Sequence, residues 1–553
     1  MTRQAVSATQ DGQDPEPRKR VGAGIGRAAA LIAGLTLLAR LLGLVRTMVF
    51  AKTVGATCLG TAYVTANNLP NIVYDIVLGG ALTSIMVPLL ARPAERAGRD
   101  HDAAGEVAQT SSALFTWTIM ILAPVSLVIA FASGPLANLL NPVNAAGRCG
   151  QQSLVTVTGH MLAIFAPQIL LYGLAVVLYG ILQAHRKFAA PALAPVISSV
   201  FVIAAYLAFL PYGTKPAYSL TSLPLAAELI LGIGTTLGVA ALVVTPLVPS
   251  WRLHIPLRPT LRFPAGVGRR AGGLAAYGIA ALLAEDAALL VVIILANGHG
   301  SKAALVLYSY GWQVFETAYA VLAISIAISA FPVLSAREGQ EFDEVSSSST
   351  RAVLLMSFLG TALMLAVAVP AAHFLAAVPS QRPQLAAGLA LFAPGLAGYG
   401  LVACLSRVLL AAGRTRVAAI AVAGGWLVVI AADVILVSVA TGPLVVPMLG
   451  LGNTIGLTVA GVALLVAVRR APGANALNGV GRVAAAGFAA AVAGAAVGAG
   501  VAAALPSGGA AAEAFIAVLA AVCAMTVFGA VALLLDGGES REVLTRIRRV
   551  LPR

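Results

Sequence analysis

Charge is what this chain has least of. Only 10% of its 553 residues are Asp, Glu, Lys or Arg, against about 25% in an ordinary soluble protein. So sparse a charge cannot cover a water-facing surface of this size, which excludes most soluble enzymes and DNA-binding proteins. Cysteine is scarce as well: there are four, at no metal-ligand spacing, so neither a disulfide-rich secreted module nor a zinc-binding domain fits. The six histidines are scattered, and no zinc or iron site is expected. There is no phosphate-cradling Walker loop, no HExxH and no GxSxG, so nothing points to covalent or ATP-driven chemistry. The chain is not expected to be an enzyme or to hold a cofactor. Its longest loop, about 249–270, is too short to bury a core of its own.

What is present is apolar. Hydrophobic residues make up 59% of the chain and the mean hydropathy is +0.93. A bilayer crossing needs about 20 mainly apolar residues, because a helix rises about 1.5 Å per residue through a core roughly 30 Å thick. Fourteen such stretches are predicted, at 28–50, 62–91, 108–134, 153–184, 190–211, 223–248, 271–297, 303–334, 351–377, 385–412, 417–440, 443–468, 483–504 and 511–535. No ten-residue segments alternate apolar with polar residues, which favours helices over a β-barrel. The expected fold class is an all-α polytopic membrane protein with 14 transmembrane helices.

The basic residues orient these spans. With the N-terminus inside, 27 of the 35 Lys and Arg fall on the cytoplasmic side. Five lie outside (Lys52, Arg148, Lys215, Lys302, Arg382) and three within spans (Arg40, Arg46, Arg407). That bias follows the positive-inside rule and places both termini in the cytoplasm. The net charge of +14 is therefore a topology signal, assisted by anionic lipid headgroups, and no nucleic-acid partner is expected. The opening residues are polar, and a full-length span with no convincing cleavage site follows them, so a signal peptide is not expected. Cys58 and Cys149 both fall in external loops, an oxidising location that permits a bridge. Cys404 and Cys523 sit in spans as small buried residues.

An internal repeat divides the chain. Residues 165–174 read FAPQILLYGL and 392–401 read FAPGLAGYGL, six of ten positions matching at an offset of 227. A weaker pair ends the second and eighth spans, Pro88–Arg92 against Pro332–Arg337. Six spans separate the copies, so both enter the membrane in the same sense. They should be related by an axis along the membrane normal, with a substrate path at their interface. The expected organisation is a tail (1–27), an N-lobe of spans one to six (28–248), a cytoplasmic linker (249–270), a C-lobe of spans seven to twelve (271–468), two extra spans (469–536) and a basic tail (537–553).

Charges at membrane depth mark the candidate site. An arginine at span centre costs about 2.5–3.5 kcal/mol on insertion scales, so it faces a partner or a wet cavity. Arg40 and Arg46 lie six residues apart on the first span, about 9 Å of rise and 120° of rotation. Two readings stay open. Either they pair with Asp75 or the Glu285/Asp286 couple and hold the bundle together, or they face water and bind an anion such as a phosphate through their donor forks. Asn67, Asn68, Asn71, Asp75, Glu285 and Glu316 are the cavity-lining candidates. Asp286, Asp433 and Thr454 could supply oxygens to a Na+ or H+ coupling site. Pro70 invites a kink inside the second span.

The stretches ARLLGLVRTMVFAKTVGA (39–56) and TAYVTANNLPNIVYDIVLGGALTSIMVPLL (61–90) resemble the first two helices of the MurJ/MviN family. The second stretch resembles its actinobacterial branch. The resemblance implies membership of the multidrug/oligosaccharidyl-lipid/polysaccharide exporter superfamily. It implies two lobes that alternate between inward- and outward-open states in a bacterial cell membrane, and a substrate, lipid II, the undecaprenyl-pyrophosphate-linked peptidoglycan precursor. It also implies a groove beside the last two spans for the polyprenyl tail, a pyrophosphate site at Arg40 and Arg46, and cell-wall synthesis and divisome proteins as partners. Some actinobacterial members extend into a pseudokinase, and none is expected here. Three departures stand out. Tyr74 and Asp75 lie where many members carry an arginine, Tyr310 and Gly311 where they carry an Asp-Arg pair, and Val429 where their sodium site has an asparagine. The alternatives are a flippase for another polyprenyl-linked glycan, a drug/cation antiporter, and a non-transporting divisome scaffold. Without ATP, the membrane potential or an ion gradient is expected to bias the lobes.

Overall fold

The computed structural model describes residues 16–535, except 78–95, 97–100, 143–148, 214–219, 221–222, 254, 257, 263–266, 471–473 and 507; side chains at 16–33, 101–103, 151, 213, 267–278, 474 and 510 also lie outside the description. Apart from one isolated bridge between Gly300 and Gly442, the regular structure is helical among the described residues. The helices are α1 (Glu16–Thr53), α2 (Cys58–Ile76), α3 (His101–Phe131), α4 (Ser133–Leu140), α5 (Gln151–Phe165), α6 (Pro167–Ala184), α7 (Ala189–Ala208) and α8 (Leu225–Trp251). There follow α9 (Val267–His299), α10 (Ala304–Tyr319), α11 (Ser325–Ser335), α12 (Gly339–Leu375), α13 (Arg382–Phe392), α14 (Gly395–Ala411), α15 (Thr415–Ser438), α16 (Val445–Arg470), α17 (Val480–Ala504) and α18 (Ala510–Leu535). Among the described residues, twelve helices are long and apolar enough to cross a membrane, and the α13–α14 pair, bent by 41°, makes a thirteenth if taken as one span. The expected fourteenth, the second span, is described only as far as Val77; its remainder, with the Pro88 half of the weaker repeat, lies outside the described residues. The chain is a multi-pass membrane protein.

Sequence explains the breaks. Pro167 and Pro394 lack the amide hydrogen that a helix interior needs, so the fourth and tenth spans each part at the Phe-Ala-Pro of the repeat. The freed carbonyls are caught by hydroxyls from neighbouring spans. In the first half Ser126 donates to Ala166 O at 2.8 Å, and Thr236 donates to Ile164 O at 3.3 Å while accepting from Gln168 Nε2. In the second half Thr361 donates to Ala393 O at 2.9 Å, and Thr454 donates to Leu391 O at 2.5 Å while accepting from Gly395 N. Ile164, Ala166 and Gln168 stand at the same 227-residue offset from Leu391, Ala393 and Gly395 as the sequence repeat. The repeat is therefore a repeated joint, closed by the same hydrogen bonds twice. Thr454, a candidate ligand of the expected cation site, takes part in this joint.

Small residues set the helix packing. A Cβ at Gly456 would meet Val429 at 2.2 Å, and one at Gly425 would meet Ala460 at 2.3 Å, so α15 and α16 touch backbone to backbone. The two extra helices use the same device: a Cβ on Gly498 would meet Ala366 of α12 at 2.5 Å and the Ala520 carbonyl of α18 at 2.9 Å. After α8 the chain runs extended along α3. Its amides at Arg258 and Thr260 bond Ser112 and Thr116, and its carbonyls at Leu261 and Arg262 accept from Trp117 and Gln109. Those polar side chains give a non-helical backbone the partners that lipid withholds.

Candidate functional site

The Cys58–Cys149 disulfide, with its α-carbons 5.6 Å apart, marks one end of the bundle, here called the bridge end; α1 begins at the other, the tail end. The two halves are latched together at the bridge end. Asn297 of α9, 6% exposed, donates to Thr65 Oγ1 (3.0 Å), Leu140 O (2.9 Å) and Asn141 Oδ1 (3.3 Å) of the first half. Gln381 Nε2 donates to Ala56 O at 2.9 Å, and Lys52 Nζ lies 4.9 Å from the Phe374 ring centre. Beneath this latch sits an aromatic plug. Phe50 packs on Tyr63, Tyr206 and Tyr310, and the Tyr63 hydroxyl bonds both Tyr206 and Thr235.

Below the plug the charges face one another across a cleft. Arg40 Nη1 meets Glu316 Oε1 at 2.8 Å, yet the two side chains stay 45% and 36% exposed. Helix arithmetic explains the meeting. Arg40 lies thirteen residues from the bridge end of α1 and Glu316 twelve from that of α10, both about 18–20 Å deep at 1.5 Å per residue. Glu285, fourteen residues from the end of α9, reaches about the same level and accepts from Tyr399 at 3.5 Å. Asp75 is exposed and lies within electrostatic reach of Glu316, Glu285 and Asp286. Arg46 lies one turn below Phe50, within electrostatic reach of Tyr63, Tyr172 and Tyr206, and has no hydrogen-bond or ion-pair partner among the described residues. Asn71 Oδ1 accepts from Tyr172 at 2.8 Å, while Asn67 and Asn68 are half-buried. The partner of Arg40 is thus Glu316, not Asp75 or the Glu285/Asp286 couple.

Two features of the cleft were not expected from sequence. Paired tyrosines line both walls, Tyr74 tilted against Tyr172 in the first half (4.5 Å) and Tyr319 stacked on Tyr399 in the second (3.9 Å). Tyr172 and Tyr399 are the tyrosines of the sequence repeat. Immediately after Tyr319 the eighth span widens into a π-helical turn, Ala320–Ile324, a form common at functional sites. Tyr310 is 2% exposed and belongs to the plug, and Gly311 packs under Phe392.

The three expected cation ligands are not brought together. Gly300 and Gly442 pair at the bridge end. Asp286 lies on α9, fourteen residues before the first, and Asp433 on α15, nine before the second, four of which follow the end of that helix. Asp286 is 5% exposed and lies in reach of Asp75. Asp433 is fully buried, with both oxygens unpartnered among the described residues and one pressed on Gly452. Thr454 belongs to the joint, and Val429 packs on Gly456.

Two halves repeated around a charged cleft, each with one broken span, define a two-lobed, all-helical, multi-pass membrane protein. Solved structures agree on that fold. A MATE multidrug-resistance transporter in an inward-facing conformation superposes with a TM-score of 0.60 at 16% identity, covering 80% of this chain and 97% of that one. Lipid II flippase MurJ in an inward closed conformation gives 0.71 at 18% identity, covering 93% and 100%. The chain belongs to the lipid II flippase MurJ family, whose sequence model matches residues 50–520. Among curated relatives, lipid II flippase MurJ of Burkholderia cenocepacia is 28% identical over 317 residues, 56% of this chain and 57% of that protein. Probable lipid II flippase MurJ of Rhizobium meliloti is 27% identical over 344 residues, 60% and 58%. The chain thus spans less than two thirds of the length of these relatives.

Proposed function

We propose that this protein carries lipid II across a bacterial cytoplasmic membrane by alternating access. The headgroup passes through the cleft and the polyprenyl tail stays in lipid. In this reading the tail end is cytoplasmic and the bridge end external, consistent with the placing of the basic residues and with a disulfide on the oxidising side. The latch and plug then close the external side, and the cleft receives substrate from within. The observation that carries the reading is Arg40: a guanidinium in mid-bundle, paired to one carboxylate and still 45% exposed. A pyrophosphate can displace Glu316 from such a cation because it offers more charge and more acceptor oxygens to the same donor fork. Coupling runs through the intramembrane charges, since moving one charge through a 100 mV potential is worth about 2.3 kcal/mol.

The test is rescue of bacterial cells depleted of their own lipid II flippase. The wild-type chain should restore growth and lipid II export. Arg40→Ala should reach the membrane in equal amount and fail. Normal expression of the wild type without rescue would overturn the reading in favour of another polyprenyl-linked glycan.

A further inference from the structure

The third arginine within the spans, Arg407, has been given no role above. It lies on α14, eight residues beyond Tyr399 and four beyond Ala403, a little over two turns along the helix and about 80° around it from the cleft tyrosine. Side chains on a helix tilt toward its N-terminus, and Arg407 Nη1 does reach back to Ala403 O at 2.6 Å. The guanidinium is thereby brought level with Ala403, one turn on the tail side of Tyr399. Tyr319, stacked on Tyr399, feels Arg407 together with Glu285, Glu316 and Arg40, so Arg407 shares the electrostatic field of the cleft.

Among the described residues Ala403 O is the single acceptor that Arg407 meets. A guanidinium has five N–H donors, and a half-buried one in a membrane span is costly unless water or an anion answers it. No carboxylate among the described residues does so. The residue at the matching point of the first half, 227 positions earlier, is the buried Gly180. The charge is therefore an addition to one half and not part of the repeated scaffold.

From this placement we infer that Arg407 is a third phosphate contact of the cleft, set nearer its tail-end mouth than the Arg40–Glu316 pair. It meets the pyrophosphate of a prenyl-linked substrate on entry and hands it toward Arg40 and Arg46. The inference rests on the transport reading above. It also gives the chain a cation where its second and eighth spans hold Asp75 and Gly311.

The test uses the full chain in nanodiscs and farnesyl pyrophosphate as the probe. Arg407→Gln should weaken binding about tenfold, the scale of one charge-assisted hydrogen bond, without lowering thermal stability, because the amide can still donate to Ala403 O. Arg407→Lys should fall between the two, and Arg469→Gln, at the far end of α16, should bind like wild type. Wild-type affinity in Arg407→Gln with weakened binding in Arg40→Ala overturns this inference and leaves the transport reading standing. No binding by the wild type overturns both. If Arg407→Gln fails to fold, Arg407→Lys decides: reduced affinity in a folded protein supports the contact, and unchanged affinity removes it.

Discussion

The two halves of the bundle are alike in their joints and unlike in their charges. Each half breaks one span at Phe-Ala-Pro and catches the freed carbonyls with a hydroxyl from each of two neighbouring spans. Each half also packs its repeat tyrosine on a second tyrosine at the cleft wall. Around that shared frame the first half contributes Arg40, Arg46 and Asp75, and the second contributes Glu285, Asp286, Glu316 and Arg407. Duplication thus supplied a joint twice, while the cleft diverged into one wall that is mainly basic and one that is mainly acidic. A drug/cation antiporter would be served by acids alone. Arg46, without a hydrogen-bond or ion-pair partner among the described residues, and half-exposed Arg40 instead fit the anionic cargo proposed above, with Glu316 holding Arg40 in its absence.

Exchanging the charges breaks this asymmetry most severely. The double variant Arg40→Glu with Glu316→Arg restores an ion pair of reversed sense. If the pair merely held the halves together, transport would survive. If α1 must present a cation to the cargo, export should fall about tenfold or more, the scale of one charge-assisted hydrogen bond to the cargo, while membrane insertion stays normal. Measured lipid II export per unit of inserted protein separates the two.

The next difference lies at the bridge end, where the first half is covalently closed by Cys58–Cys149 and the second is not. The bridge spans 91 positions and ties the start of α2, which carries Thr61 and Thr65, to the segment leading into α5. Cys58→Ser or reduction should lower stability by about 2–4 kcal/mol, toward the small end because membrane helices persist in the unfolded reference. Unfolding followed with and without reductant measures this, and Cys404→Ser, which replaces the buried free thiol of the second half and leaves the bridge intact, should keep the wild-type dependence on reductant.

Much of the frame was legible in the sequence. Hydropathy placed the apolar spans, and the Phe-Ala-Pro and Tyr-Gly-Leu repeat located the joints before any coordinates. What the repeat meant was not legible, because Ser126, Thr236, Thr361 and Thr454 are single hydroxyls whose carbonyl partners lie 32–72 residues away. Thr454 therefore reads from sequence only as a candidate ligand, and its bonds at the joint do not show there. The partner of Arg40 was within reach of arithmetic, since counting residues from the bridge end puts Glu316 at its level. Arg407 was set aside as a span charge because a helix face has meaning only once its neighbours are known. Asn297 reads as the polar end of a span, and its three acceptors come from α2 and from the end of α4.

The smallest expected effect decides whether the joints are equivalent. Thr236→Val and Thr454→Val each remove the hydroxyl that answers a carbonyl freed by the break, at an expected cost of about 1–3 kcal/mol for a buried polar group left unpaired. The Thr454 carbonyl partner sits at the shorter distance, 2.5 Å against 3.3 Å, so its loss should be the larger of the two. Both losses should be the same in sodium and in potassium buffer. A cation site at Asp433 and Thr454 would behave otherwise: sodium would stabilise the wild type, and Thr454→Val alone would erase that gain. Thermal unfolding of the two variants across a sodium titration therefore asks one question of both halves. Parallel curves mean that the second half kept the ancestral fastener, and a sodium-dependent gap confined to Thr454→Val means that it turned the fastener into a ligand.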